Sequence, residues 1–110
     1  LDEMELHGLP DNVHGSAQEL AVLIAERLSG FEFVRDMRVS GMTIGIECDV
    51  NAIDVVAAAA ANGLRVETAG DTAIRIQPPL LISEEDRQLL LKRLVETMEA
   101  IERETAELTL

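Results

Sequence analysis

Arg75 stands between two isoleucines in the stretch Ala73-Ile74-Arg75-Ile76-Gln77, directly before the pair Pro78-Pro79. A guanidinium is a permanent planar cation. Its fork binds a carboxylate through two parallel charge-assisted hydrogen bonds, a geometry that lysine cannot reproduce. In a short half-buried strand, Arg75 is therefore either a solvated arginine on an ordinary outer face or a clamp for an acid group. The rigid prolines beside it suit the clamp. So does Gly45, whose missing side chain would let another surface approach, although a strand glycine is also tolerated without such a purpose. Other candidates for chemistry carry less. His7 and His14 lie near Asp2, Glu3, Glu5 and Asp11 but lack closed metal-ligand spacing, so they are read as solvated and no metal site is expected. Glu84, Glu85 and Asp86 occupy the first turn of a helix, where carboxylates offset the positive end of the helix dipole. Cys48, the one cysteine, falls in an apolar alternation and is read as a buried, reduced thiol.

The elements that must hold Arg75 follow from hydrophobic periodicity. Leu20, Leu23, Ile24 and Leu28 recur at helical spacing after Ser16, which forms a capping-box pattern with Glu19, and Ser29-Gly30 ends that helix. Phe31, Phe33, Met37 and Val39 alternate with polar neighbours, interrupted at Arg35, and predict a strand. A second strand is predicted by Met42, Ile44, Ile46 and Cys48 after a turn at Ser40-Gly41. Asn51 and Asp54 cap an alanine-rich helix that stops at Asn62-Gly63. Leu64 to Thr68 and Ala73 to Gln77 read as a hairpin about Ala69-Gly70-Asp71. Pro78-Pro79 ends pairing, and Ser83 starts a last helix with the stripe Leu90, Leu91, Leu94, Val95, Met98 and Ile101. Met37, Met42 and Met98 fall at core spacing.

The predicted order is αββαββα over residues 16–110, an α+β fold with a small antiparallel sheet and helices on one face. Residues 1–15 are expected to be a flexible or truncated lead. Because strand side chains alternate, Ala73, Arg75 and Gln77 share the face opposite Ile74 and Ile76, as Thr43, Gly45 and Glu47 oppose Ile44 and Ile46. One face is oily and the other small and polar.

Composition narrows the function. The chain has 110 residues, enough for one domain, and carries 9 Lys+Arg against 21 Asp+Glu, a net charge of −12. That surface repels phosphate backbones and anionic lipid, so neither nucleic acid nor membrane is an expected partner. No apolar run is long enough to span a bilayer, no signal-peptide pattern is visible, and the lone cysteine forms no internal disulfide, so a cytoplasmic location is expected. The start at Leu1 without methionine reads as a piece of a longer protein.

The strings RVSGMTIGIECDV and AAANGLRVETAGDTAIRIQPPLLISEED resemble the C-terminal small domain of fold type I, class III pyridoxal-phosphate-dependent aminotransferases, in the branch of acetylornithine and ornithine aminotransferases. The similarity covers about residues 13 to 105, and the Thr68-Ala69-Gly70 turn is most like the acetylornithine type. Val39 stands where the family's Arg-Gly-x-Gly segment has its first glycine, and Met42-Thr43 replace the usual Leu-Met. The resemblance implies that Arg75 binds the α-carboxylate of glutamate or 2-oxoglutarate. It also implies a pyridoxal 5'-phosphate cofactor, N-acetylornithine as amino donor, a role in arginine biosynthesis, a large catalytic domain in the same chain, and a homodimer. Transamination needs a lysine amine and a phosphate cradle. The one lysine, Lys92, lies on the acidic last helix, so these residues alone are expected to bind no cofactor and to be inactive. Two alternatives stand beside this: a free-standing α+β binding or regulatory module, and the same domain from an ornithine, succinylornithine or 4-aminobutyrate aminotransferase.

Overall fold

Aliphatic alternation in the middle of the chain and capped helical stripes around it build one sheet with three helices laid against it. The computed structural model describes residues 5–7, 16–78 and 83–108, with side chains over 19–78 and 83–105. Its elements are β1 (Glu5–His7), α1 (Ser16–Leu28), β2 (Val34–Ser40), β3 (Thr43–Cys48), α2 (Ala52–Ala61), β4 (Glu67–Thr68), β5 (Ala73–Ile76) and α3 (Glu84–Leu108). From residue 16 onward this is the expected αββαββα order, an α+β fold. Strands β2, β3, β5 and β4 pair antiparallel in that spatial order. β1 is an addition that the sequence did not announce. It runs parallel to β2, with Glu5, Leu6 and His7 beside Asp36, Met37 and Arg38. A three-residue edge strand is too short to show a period-two pattern.

β2 starts at Val34, not at Phe31. Val34 pairs with Cys48 and Asp36 with Glu47, so two residues of β2 oppose one step of β3 and the strand bulges at Arg35. That extra residue is the physical reason the apolar alternation breaks there. Phe31 and Phe33 sit ahead of the strand with ring centroids 5.8 Å apart, half-buried against the core. Ser40 pairs with Thr43, leaving Gly41 and Met42 as a two-residue turn in which Gly41 takes φ +59. Only glycine adopts this conformation without strain, and it matches the twist of a tight hairpin. Met42 therefore lies in the turn, half-exposed, and is not part of the core expected for it.

The helix ends show which local rules held. Ser83 Oγ accepts a hydrogen bond from the Asp86 amide at 3.0 Å, the expected cap of α3. The Ser16–Glu19 pair lies outside the described side chains. Asn51 precedes α2 but its side chain makes no cap bond. Instead the Ala52 amide at the start of α2 donates to Asp71 O at 2.8 Å, a tertiary bond from the β4–β5 connection. At the other end Gly63 has φ +76 and the Leu64 amide donates to Ala59 O at 2.8 Å, closing the helix as Asn62-Gly63 predicts. Arg93 of α3 donates from Nη1 to Gly63 O at 2.9 Å, pinning this corner to the last helix.

The core lies between the sheet and all three helices. Leu20, Ala21, Ile24 and Leu28 of α1, Ala52, Val55 and Ala59 of α2, and Leu91, Leu94, Met98 and Ile101 of α3 meet Met37, Val39, Ile44, Ile46, Cys48, Ile74 and Ile76 of the strands. Val39, the residue that departs from the family glycine, is one of these buried contacts. Thr97 is the buried polar residue of the described core, and its hydroxyl donates to Arg93 O at 2.7 Å. β4 is shorter than the predicted Leu64 to Thr68 strand. Leu64 and Val66 nonetheless stay buried, so packing rather than sheet pairing holds that approach.

Candidate functional site

Arg75 extends from the face of β5 opposite Ile74 and Ile76, as alternation requires, and its side chain is 50% exposed. The register sets its neighbours. Gly45 of β3 lies on one side and Glu67 of β4 on the other. Arg75 Nε donates to Glu67 Oε1 at 2.9 Å, and among the described residues this is its only ion pair. Its Nη1 and Nη2 meet no partner among the described residues. Both partners are half-exposed, so the pair adds little to stability.

Beside Arg75 the sheet is nearly bare. A Cβ built on Gly45 would come no closer than 3.9 Å to any atom, the nearest being the carbonyl oxygens of Arg38 and Ile74. The glycine is thus not required by the packing of the described residues. It leaves a floor next to the guanidinium. Two polar contacts rim that floor. Gln77 Nε2 donates to Thr43 Oγ1 at 3.2 Å toward one end, and the Thr72 hydroxyl donates to the Glu47 carboxylate toward the other. Arg75, the exposed Arg38 that faces Gly45 from the other side, and a few hydrogen-bonding groups make a surface fit to receive an acid group.

The remaining candidates lie elsewhere. Lys92 is exposed on α3, remote in sequence and element from the Arg75 face, and nothing around it among the described residues forms a phosphate cradle. Lys92 is the one lysine the chain offers to a pyridoxal phosphate, and it stands apart from the strand that carries Arg75. Glu84 is engaged locally, accepting from Gln88 Nε2 at 2.9 Å and pairing with Arg87 at 3.6 Å, which leaves the acidic first turn of α3 a helix start. His7 and His14 lie outside the described side chains, and no metal-holding cluster occurs among the described residues. Cys48 is buried on the oily face. Its thiol is pushed up to about 12, first by burial and then by the carboxylates of Glu47 and Asp49, so it stays protonated and inert at neutral pH. No described helix is long and apolar enough to cross a membrane.

Glu67 is the residue that the sequence argument missed. A signal was present. Once Thr68 is set opposite Ile74, with residues 69–73 as the connection, strand counting sets Glu67 opposite Arg75, and opposite charges at facing positions attract.

Known proteins bear on what this surface belongs to. The Aminotransferase class-III family profile matches residues 1–98. The mitochondrial acetylornithine aminotransferase of Alnus glutinosa is 33% identical over 104 residues, which is 94% of this chain and 23% of that protein. Acetylornithine aminotransferase 1 of Bordetella pertussis is 30% identical over 95 residues, 86% of this chain and 24% of that protein. The chain thus spans about a quarter of the length of the relatives it matches. Among solved structures, N-acetylornithine aminotransferase from Stenotrophomonas maltophilia superposes with a TM-score of 0.69 at 27% identity, covering 76% of this chain and 24% of that one. Ornithine aminotransferase from Toxoplasma gondii gives 0.70 at 23% identity, covering 78% and 21%, and shows the shared fold. On the strength of a match that takes in all but the end of its last helix, the chain belongs to the class-III aminotransferase family.

Proposed function

We propose that this chain is the small C-terminal domain of a pyridoxal-phosphate-dependent, acetylornithine-type aminotransferase of arginine biosynthesis, and that Arg75 is its substrate-binding residue. The observation that carries the proposal is the state of the guanidinium. It is held at one edge by Glu67, without a partner for its Nη pair among the described residues, and set beside a glycine at which those residues would admit a Cβ. In that role Arg75 receives the α-carboxylate of glutamate or 2-oxoglutarate by two parallel hydrogen bonds and fixes its orientation before the reaction.

The rest of the machinery is assigned to protein outside these 110 residues. A large domain of the same chain supplies the lysine and the phosphate cradle, and the complete enzyme works as a cytoplasmic homodimer. The residues described here bind and orient an acid group and help to exclude water from it. By themselves they are inactive.

The test is a donor panel on the intact enzyme, with 2-oxoglutarate as acceptor. N-acetylornithine should give the highest kcat/KM, ahead of ornithine, N-succinylornithine and 4-aminobutyrate. A different preferred donor would replace the acetylornithine assignment. Absence of transamination with any donor would reject the enzymatic role and favour a free-standing binding module.

A further inference from the structure

We propose that Glu67 is a positioning residue that aims Arg75 at the incoming carboxylate; this rests on the carboxylate-binding role given to Arg75 above. The two residues face each other across the β4–β5 hairpin, and Glu67 Oε1 accepts from Arg75 Nε at 2.9 Å. A guanidinium presents its five N–H donors in a rigid plane, with the Nε edge and the Nη1/Nη2 end pointing in different directions. A carboxylate on the Nε edge therefore leaves the Nη pair, which can grip a second carboxylate end-on, free of any partner among the described residues. It also fixes the rotation of the plane. Gly45, on the opposite flank, has no side chain to do so.

Two physical effects of Glu67 oppose each other. Tethering Nε removes rotamer freedom from a long side chain before ligand arrives, which lowers the ordering cost of binding. The negative charge of Glu67, in contrast, repels an acid ligand. With both side chains about half exposed, solvent weakens that repulsion, and the two carboxylates would sit on different edges of the fork. The restriction on rotation is not screened. Aiming outweighs repulsion on these grounds, and the two effects predict opposite signs on substitution.

Steady-state kinetics of the intact aminotransferase with 2-oxoglutarate separates them. Glu67→Ala should raise the KM for 2-oxoglutarate roughly three- to tenfold with kcat nearly unchanged, the size expected for freeing one long side chain. Glu67→Gln keeps an oxygen that accepts from Nε and should stay close to wild type. Thermal unfolding of both variants should match wild type, because the pair is exposed. An unchanged or lowered KM in Glu67→Ala would overturn the aiming role. A Glu67→Gln enzyme as impaired as Glu67→Ala would also overturn it, tying the effect to charge alone. Arg75→Ala measured in parallel distinguishes the two levels. If it has no effect, carboxylate binding and aiming fall together; if it is severe while Glu67→Ala is silent, aiming alone falls.

Discussion

The two faces of the same sheet obey different rules. On the helix-covered face Ile44, Ile46, Ile74 and Ile76 are at most 3% exposed, and each is fixed by what touches it. On the other face Thr43, Gly45, Arg75 and Gln77 occupy the alternate positions of the same strands, and a Cβ on Gly45 would meet the described residues at no less than 3.9 Å, an ordinary contact. Burial explains the first set completely. The second set is held among the described residues only by exposed polar contacts, Gln77 to Thr43 and Arg75 to Glu67. Residues that a domain's own stability leaves unexplained are where function is to be sought, and in this set Arg75 carries a permanent charge and an Nη pair without a partner among the described residues.

This contrast is easiest to break on the oily side. Ile46→Ala removes a fully buried side chain between the helices and the sheet, and should cost about 2–5 kcal/mol of stability in chemical denaturation. A loss near zero would mean that the core is looser than its burial implies. Cys48 sharpens the same face through pH. Its thiol titrates near 9.0 when exposed and is raised to about 12 by burial and by Glu47 and Asp49. The unfolded chain therefore releases this proton before the folded one does. The thiol's contribution is fully present below about pH 9 and is lost as pH climbs from there toward 12. Cys48→Ala should flatten that alkaline decline, and a native thiol that reacts readily with a maleimide at pH 7 would contradict its burial. The smallest stability change belongs to the polar face. Gly45→Ala should leave stability within roughly 1 kcal/mol and on the favourable side, since alanine loses less backbone freedom on folding. In the intact enzyme the same methyl should lower kcat/KM for 2-oxoglutarate, because it rises from the floor beside the guanidinium. A variant with both fold and activity unaltered would make Gly45 a merely tolerated strand glycine.

Much of this arrangement is legible in the chain because the aliphatic pattern leaves few options. With two phenylalanines and no other aromatic residue, isoleucine, leucine, valine and alanine must form the interior, and their spacing names the elements and the face on which Arg75 stands. Even the bulge leaves a trace, as the skipped beat at Arg35. Other features are decided by contacts that no local pattern encodes. The parallel pairing of β1 uses backbone groups that every sequence possesses. Asn51 sits where a cap belongs, yet the helix start is tied by the Asp71 carbonyl from a distant turn. Leu64 and Val66 alternate like a strand, but packing buries them without ladder bonds to β5. The Glu67–Arg75 pair is intermediate. It follows from the hairpin register, which becomes countable once the turn is placed.

Arg75→Ala, read out twice, tests the central claim most directly. In the intact enzyme it should lower kcat/KM for 2-oxoglutarate by at least about a hundredfold, the loss expected for two hydrogen bonds to a charged group. In the same preparation the unfolding temperature should not move, because the side chain is half exposed and makes no core contact. A variant that turns over 2-oxoglutarate like wild type, or one that loses activity only because the domain melts, would contradict the assignment of Arg75 as the residue that receives the acid group.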